Sequence, residues 1–340
     1  MVEKLSISPQ SQVQMEKILD VKELRTNFYT DKGVVKAVNS LSYHINKGEC
    51  VGLVGESGCG KSVSAMSILR LIPYPPGVIE GGEILFKGEN LLEVDEERIQ
   101  EVRGGRISMI FQEPSTSLNP VLSVQRQLTE SLELHRGMTS KEAKVESVRL
   151  LGLVGIPDAE RRVTDYPHQF SGGMQQRIMI AIALSCTPEL IIADEPTTAL
   201  DVTVQAQILE LIAEMRDKLG TAVLIITHNL GVVARYVDRL HVMYAGSIVE
   251  SGLTDEIYAN PKHPYTIGLL KSVPRLDKPK TKDMDVIEGM PPNLAMLPEG
   301  CPFSERCQFV MDQCKVEKPL LKEVGEGHFR ACFYDADKLN

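Results

Sequence analysis

Apolar and polar residues partly alternate in two stretches near the amino terminus. The stretches cover residues 18–28 and 34–45, and Asp31-Lys32-Gly33 between them has the composition of a turn. Alternation with a period of two is typical of strands that bury one face. A further turn-rich strand region follows at 77–88. These stretches predict an antiparallel β layer.

Other apolar runs show no alternation, which is typical of parallel strands buried on both faces. They cover residues 50–54, 104–112, 190–193 and 222–226. Between the second and third runs, residues 121–155 change to a helical and charged pattern. Their apolar positions form one stripe, made of Leu128, Leu132, Val148 and Leu151. Residues 237–250 then predict two closing strands around a turn at Ala245-Gly246. The chain therefore reads as an α/β protein with a helical insertion.

The apolar run at residues 50–54 leads directly into a predicted phosphate-binding loop. Residues 55–62 read Gly-Glu-Ser-Gly-Cys-Gly-Lys-Ser and fit G-x-x-x-x-G-K-[ST], and helical spacing begins at Val63. In a strand–loop–helix context, consecutive backbone N–H groups and the helix dipole bind phosphate oxygens. Lys61 would add a cation for the outer phosphates, and Ser62 a hydroxyl ligand for Mg²⁺. The loop predicts nucleoside triphosphate binding.

Three later strands end in polar residues, at the sheet edge where α/β proteins bind ligands. Asp194 and Glu195 follow one strand, and we assign Mg²⁺ to the first and the water that attacks the γ-phosphate to the second. His228 ends another strand and would orient the same water. Gln112 ends a third and would reach the Mg²⁺ or that water. Each residue alone would be unremarkable, but downstream of a phosphate loop the set predicts hydrolysis.

A second glycine-containing helix start follows the helical insertion. Ser171 is a good N-cap, and Met174, Ile178 and Ile182 give the next helix an apolar face. A serine and two glycines at a helix start favour anion binding. From spacing alone, an anion site and a plain helix cap are equally supported.

Length, charge and hydropathy limit the remaining possibilities. The chain has 340 residues, long enough for about two domains, and a formal net charge of −9. An acidic chain is a poor nucleic-acid binder, because neutralising phosphates needs a basic surface. No apolar run approaches the ~20 residues that span a bilayer. We therefore expect a chain without spanning segments that acts where nucleoside triphosphates are, in the cytosol.

The seven cysteines are unevenly distributed, and in a cytosolic chain we do not expect disulfides. Three are predicted to be small packing residues: Cys50, Cys59 and Cys186. Four others crowd the last forty residues: Cys301, Cys307, Cys314 and Cys332. Zinc sites normally contain C-x₂₋₄-C pairs, whereas an iron–sulfur cluster tolerates wider spacing. A cluster is favoured, with zinc and unliganded thiols as open alternatives, and a structural role is favoured over redox sensing.

With these motifs placed, residues 18–255 resemble the ATPase subunits of ATP-binding-cassette (ABC) transporters. The phosphate loop, Gln112, the Ser-Gly-Gly segment at 171–175, the acidic strand end, Ala199-Leu200-Asp201 and His228 match in order and spacing. The resemblance implies a P-loop NTPase core of the ABC type, with a mixed sheet, flanking helices and an antiparallel β layer. It implies an ABC ATPase domain at 1–255 with a helical subdomain at about 114–185.

The resemblance also implies roles for individual residues. Glu195 and His228 would be catalytic, with Mg²⁺ held by Ser62, Gln112 and Asp194. ATP would be bound by Phe28, Tyr29, Gly55, Glu56, Ser57, Gly58, Cys59, Gly60, Lys61, Ser62, Val63, Gln112 and Asp194, with Phe28 or Tyr29 stacking on adenine. The signature segment would contact the γ-phosphate bound by a second subunit, through Ser171, Gly172, Gly173, Met174 and Gln175. Asp201 would belong to the D-loop. Two ATPase subunits would thus close head to tail around two ATP molecules.

A closer resemblance is to the ATPases of dipeptide and oligopeptide importers, a group that includes some nickel importers. It rests on residues 111–120, 194–209, His263-Pro264-Tyr265-Thr266 and Gly-Cys-Pro-Phe at 300–303. It implies that residues 256–340 form a small irregular Cys-rich extension, and that Cys301, Cys307, Cys314 and Cys332 hold a [4Fe–4S] cluster, as in some members. Cys59 stands where Ser is commoner, and Asn229 follows His228 where Asp is usual.

The resemblance implies a peripheral ATPase at the cytoplasmic face of the inner membrane that powers peptide import. Its partners would be a second, non-identical ATPase subunit, two transmembrane permease subunits and an extracytoplasmic peptide-binding protein. One alternative is a soluble ABC ATPase of DNA repair or translation, but no long heptad repeat separates the phosphate loop from residue 171. Another is a non-hydrolysing regulatory subunit, which Glu195 and His228 argue against. Import of another cargo such as nickel stays open.

Overall fold

A computed structural model describes residues 16–198, 200–273 and 287–335, apart from the side chain of Val232. Its strands are β1 (Lys17–Thr30), β2 (Gly33–Asn46), β3 (Cys50–Val54), β4 (Gly77–Phe86), β5 (Glu89–Asn90), β6 (Ile107–Ile110), β7 (Leu190–Asp194), β8 (Ala222–Thr227), β9 (Arg239–Tyr244), β10 (Ser247–Leu253), β11 (Lys322–Gly325) and β12 (His328–Arg330). Its helices are α1 (Lys61–Ile68), α2 (Glu96–Val102), α3 (Pro114–Ser117), α4 (Val124–Arg136), α5 (Ser140–Leu153), α6 (Ala159–Arg162), α7 (Gly172–Leu184), α8 (Val202–Leu219), α9 (Leu230–Val233), α10 (Thr254–Ala259), α11 (Pro264–Ser272) and α12 (Asp312–Val316).

The described part of the chain contains two sheets. The larger one is mixed and has the order β11-β12-β10-β9-β3-β8-β7-β6. β9, β3, β8, β7 and β6 are parallel, whereas β10, β12 and β11 pair antiparallel at one side. Every residue of β3, β7 and β8 is buried, which explains why these strands are continuous apolar runs. The parallel strands predicted from those runs are confirmed, and so is the mixed sheet that the resemblance implies.

The second sheet is antiparallel, with the order β2-β1-β4-β5. It contains both alternating stretches, joined by the predicted turn, and the strand region that begins at Gly77. Its apolar face shares a hydrophobic core with α1 and with one face of the larger sheet. The predicted antiparallel layer is therefore confirmed.

The helical insertion packs on the opposite face of the larger sheet, in a second hydrophobic core. It contains α4 and α5, and the apolar stripe predicted there is buried at Leu128, Leu132 and Leu151. α5 begins with a capping box, in which Thr139 accepts from the Glu142 N–H and Glu142 accepts from the Thr139 N–H. The helical prediction for 121–155 is confirmed.

The strand before Gln112 is shorter than predicted. The N–H of Gly104 donates to the carbonyl of Ile107 at 2.9 Å, so residues 104–106 form a tight turn and β6 begins at Ile107. Gly104 has a φ of +79°, which a glycine adopts without steric cost. Gln112 therefore lies two residues beyond the strand, in a loop.

The carboxy-terminal residues continue the larger sheet. β12 pairs with β10, placing Arg330 opposite the fully buried Glu250. The Nε2 of His328 lies 2.8 Å from Oε1 of Glu250, and the N–H of His263 donates to the same carboxylate at 3.0 Å. Residues 274–286 of the predicted extension lie outside the described residues. Within the described ranges, no helix combines the length and the hydropathy needed to cross a membrane.

Candidate nucleotide-binding site

The phosphate loop joins β3 to α1 at the carboxyl edge of the larger sheet. A side chain is sterically excluded at two of its glycines, because a Cβ on Gly55 would lie 2.2 Å from the Met243 carbonyl and one on Gly60 2.0 Å from the Ala37 carbonyl. Gly60 also has a φ of +102°. The loop is thus pressed against β9 and β2 with backbone alone at these points.

Lys61 is buried and lies within the loop. Its Nζ donates to the carbonyl oxygens of Gly55 at 2.8 Å and of Glu56 at 3.0 Å. Both acceptors are neutral carbonyl oxygens, so these hydrogen bonds hold the ammonium group without offsetting its positive charge. A cation fixed in this way is suited to bind phosphate oxygens.

Parallel pairing brings three predicted strand ends to the same edge of the sheet. Val54 is opposite Thr227 and Asp194 is opposite Ile226. In consequence the Ser62 hydroxyl donates to Oδ1 of Asp194 at 2.9 Å. Burial raises the pKa of Asp194, and the charge of Glu195 adds to this, while the Ser62 hydrogen bond and Lys61 oppose it.

A hydroxyl and a buried carboxylate at this separation fit Mg²⁺, which prefers oxygen ligands. A cation bound between them would offset the cost of burying the Asp194 charge. Ser62 and Asp194 are therefore the described pair best suited to hold the metal.

Glu195 is held by the side chains of three neighbours. Its Oε2 accepts from Nε2 of Gln112 at 3.0 Å and from Oγ1 of Thr198 at 2.8 Å, and its Oε1 lies 3.1 Å from Nδ1 of His228. Burial acts to raise the pKa of Glu195, but the hydrogen bonds with Thr198 and His228, helped by the charge of Lys61, outweigh it and leave the pKa below its usual value. The carboxylate is thus ionised at neutral pH.

The backbone at Glu195 contributes to this arrangement. Its φ is +45°, in the left-handed region that non-glycine residues adopt at an energetic cost. Such strain is concentrated at functional sites, where it fixes the direction of a side chain. The structure brings together Gln112, Glu195 and His228, which follow three different strands.

Two family descriptions match the chain: "ABC transporter" over residues 38–198, and "Oligopeptide/dipeptide transporter, C-terminal region" over residues 249–314. A "Probable peptide ABC transporter ATP-binding protein y4tR" of Sinorhizobium fredii (strain NBRC 101917 / NGR234) is 49% identical over 331 residues, which are 97% of this chain and 99% of that protein. The chain belongs to the ABC transporter ATP-binding family.

Further relatives agree with this assignment. The "Oligopeptide transport ATP-binding protein OppD" of Bacillus subtilis (strain 168) is 48% identical over 317 residues, 93% of this ABC ATPase and 88% of that protein. Among solved structures, a dimer of the ATP-binding cassette MJ0796, in a post-hydrolysis state bound to ADP and Pi, has a TM-score of 0.63 at 26% identity. The match covers 69% of this chain and 98% of the MJ0796 chain.

The signature segment of this ABC ATPase lies at the start of α7. Ser171 occupies the N-cap position as predicted, but its side chain makes no capping hydrogen bond, and it is exposed together with Gly172. Gln175 points back to its own segment, since its Nε2 donates to the carbonyls of Pro167 at 2.9 Å and Phe170 at 3.2 Å. The Ser171 side chain is thus exposed at the start of α7 and is not used to cap its own helix.

The remaining nucleotide candidates have different environments. Tyr29 is 51% exposed and its hydroxyl donates to Glu80, whereas Phe28 is half-buried against Gly77, whose Cβ would lie 2.9 Å from the Phe28 ring. Tyr29 therefore has the more accessible ring for a base. Asp201 caps α8, because its Oδ1 accepts from the N–H groups of Thr203 and Val204. Ala199 lies outside the described residues.

The four carboxy-terminal cysteines line one cavity. Its wall also includes the aromatic residues Phe303, Phe309 and Phe333. Burial raises the pKa of the Cys301 and Cys307 thiols to about 11, so in the absence of a metal both are protonated. Over residues 16–198, 200–273 and 287–335, no three His, Cys, Asp or Glu side chains are placed to hold a metal ion. The other three cysteines are buried, as predicted.

Sequence reasoning missed three residues that contact this site. Thr198 is three positions beyond Glu195 and gave no pattern of its own. Tyr265 belongs to the His-Pro-Tyr-Thr segment that carries the resemblance, and its hydroxyl accepts from the Glu56 N–H at 2.8 Å. Arg306 is 250 residues from Glu56 and donates to both its carboxylate oxygens, at 2.6 and 2.9 Å. No signal within the sequence connects such distant positions.

Proposed function

We propose that this ABC ATPase hydrolyses ATP to power the import of di- or oligopeptides through a membrane transporter. The observation that carries the hydrolytic part is the ionised Glu195 carboxylate, held by Gln112, Thr198 and His228 at the sheet edge beside the phosphate loop. The peptide cargo is supported by relatives whose names include peptide transport. It is also supported by the match of residues 249–314 to the carboxy-terminal region of such transporters. These matches favour peptide import over DNA repair or translation.

In the proposed mechanism, the backbone N–H groups of residues 55–62 and the start of α1 bind the phosphates, and Lys61 binds the outer ones. The side chains that would hold Mg²⁺ are those of Ser62, Asp194 and Gln112. When bound, the metal neutralises charge that develops on the phosphoryl oxygens. Glu195 positions the attacking water and accepts its proton, while His228 fixes the carboxylate and the water. Tyr29 or Phe28 stacks on the adenine.

A second ATPase subunit completes each site in this proposal. The exposed serine and helix start at 171–175 would contact the γ-phosphate bound by that subunit, with the D-loop at Asp201 between them. ATP then holds two subunits together and hydrolysis releases them. Two permease subunits, a peptide-binding protein outside the membrane and a peripheral position on the cytoplasmic face belong to the same proposal.

Peptide uptake by whole cells tests this function. We expect deletion of the gene to abolish uptake of a labelled oligopeptide, and expression of the wild-type chain, but not of Glu195→Gln, to restore it. Uptake of a free amino acid serves as the control and should not change. Normal peptide uptake in the deletion strain would contradict the proposal. If the strain instead lost only nickel uptake, nickel and not peptide would be the cargo.

For the cysteine cavity we propose a [4Fe–4S] cluster bound by Cys301, Cys307, Cys314 and Cys332. A single Zn²⁺ needs each sulfur about 2.3 Å from one point, whereas a cluster receives each thiolate at a separate corner. The four thiols line one cavity with aromatic walls. Successive cysteines lie at least six positions apart, without the close C-x₂₋₄-C pairs typical of zinc sites, so we favour a cluster over zinc. The cluster would staple the irregular extension at residues 256–340.

Metal analysis of anaerobically purified protein tests this site. We expect a brown protein with about four irons per chain, and loss of iron and colour in Cys307→Ser or Cys332→Ser. The matched control, Cys186→Ser, changes a buried cysteine outside the cavity and should retain the iron. Stoichiometric zinc, or no metal in anaerobic protein, would refute the cluster.

A further inference from the structure

We propose that the carboxy-terminal extension forms part of the ATP site, with Arg306 as a positioning residue that neutralises Glu56 and fixes the start of the phosphate loop. The inference rests on the proposed binding of ATP by residues 55–62. It adds a contribution that the cassette portion at 38–198 does not contain by itself.

The first observation is the geometry of the ion pair. Nη1 of Arg306 donates to Oε2 of Glu56 at 2.6 Å, and Nη2 donates to Oε1 at 2.9 Å. The Arg306 side chain is only 5% exposed, and its Nε donates to the Glu288 carbonyl at 3.1 Å. A planar guanidinium can satisfy these acceptors together, whereas a lysine ammonium lacks the fork. The pair is therefore a fixed contact and not a solvated surface salt bridge.

Arg306 also neutralises a negative charge within the phosphate loop. Glu56 is the second residue of a loop that must bind an anionic triphosphate, and its side chain is one-quarter exposed. An unpaired carboxylate at this position would repel the ligand, with little screening in a partly buried site. Arg306 brings the local charge of the pair to zero and leaves Lys61 as the net cation of the loop.

The third observation is that the extension also holds the backbone of Glu56. The Tyr265 hydroxyl, from α11, accepts from the Glu56 N–H at 2.8 Å. The Tyr265 ring is fully buried and packs against Tyr244 and Phe303, with ring centroids 4.6 and 5.4 Å apart. One loop residue is thus held at its side chain and at its backbone by two separate elements beyond residue 255.

The position of Arg306 connects this contact with the cysteine cavity. Arg306 lies between Phe303, which lines the cavity, and Cys307, which also lines it. Order in this segment and order in the phosphate loop are therefore linked through one side chain.

Calorimetric ATP binding to the full-length chain tests the inference. We expect Arg306→Ala to weaken ATP binding about tenfold, as loss of a charged hydrogen-bonded pair would. In ATPase assays, KM should rise by a similar factor while kcat changes less, because the groups around Glu195 are intact. In the Glu56→Gln background the same arginine substitution should weaken ATP binding less than about twofold, because the carboxylate charge that Arg306 neutralises is absent. Arg306→Lys, which keeps the charge without the fork, should be intermediate.

Arg98→Ala is the matched control. Arg98 also donates to both oxygens of one carboxylate, Glu89, but in α2 and outside the phosphate loop, so ATP affinity should not change. If Arg306→Ala melts early, Arg306→Gln replaces it, since it keeps a donor and removes the charge. Wild-type affinity in the arginine variants, or an equal loss in the Glu56→Gln background, would overturn the inference. The proposed binding of ATP by residues 55–62 is tested separately by Lys61→Ala. If that variant binds ATP as tightly as the wild type, the proposed function itself is wrong.

Discussion

Replacing Glu195 with glutamine is expected to lower ATP turnover by about 10²–10⁴-fold, the range for removal of a general base. Glutamine has nearly the same shape and retains an oxygen for the Thr198 hydroxyl, but it cannot accept a proton from water. ATP binding depends on the phosphate loop and on the Ser62–Asp194 pair, so ATP-driven pairing of subunits should persist. Steady-state phosphate release and size-exclusion chromatography with ATP measure the two effects separately.

Glu189→Gln is the matched control for this substitution. Glu189 precedes the opposite end of β7 and, like Glu195, has a lowered pKa: the Lys87 and Arg106 hydrogen bonds and charges outweigh burial, which acts to raise it. Its loss removes surface ion pairs worth little stability and should leave turnover near wild type. Unchanged turnover in Glu195→Gln would refute the assignment of the base and favour a role in binding only.

Replacing Lys61 with alanine is expected to weaken ATP binding about 100-fold and to reduce turnover at least as much. The substitution removes the buried cation of the loop, and hydrogen bonds to charged groups contribute about 1.5–3 kcal/mol each. It also leaves the Gly55 and Glu56 carbonyls without the donor that joins them. Calorimetric titration with ATP gives the affinity directly.

Lys87→Ala provides the control for a lysine loss. Lys87 donates to Glu189 at 2.8 Å in a partly exposed ion pair, and neither residue belongs to the phosphate loop. Its removal should leave ATP affinity unchanged and alter thermal stability only slightly. Unaltered ATP affinity in Lys61→Ala would contradict the assignment of residues 55–62 as the phosphate-binding loop.

The elements nearest the site were predictable because their sequence patterns are local. A phosphate loop uses consecutive residues, and continuous apolar runs identify the strands that carry Asp194 and His228 to one edge. Parallel pairing then requires those ends to be neighbours, and the structure places them in adjacent strands. The strand before Gln112 was predicted too long because Gly104 forms a turn that apolar content alone does not reveal.

The sequence by itself determined the α/β class, the antiparallel layer, the phosphate loop and the set of polar strand ends, since each is recorded in spacings of a few residues. Only the tertiary structure decided which distant residues meet: Arg306 with Glu56, Tyr265 with the Glu56 N–H, and the four cysteines around one cavity. Such contacts depend on how β12 adds to β10 and on how Phe303 packs against Tyr244. Periodicity carries no information about those packing events, because residues far apart in sequence are brought together only when the whole core forms.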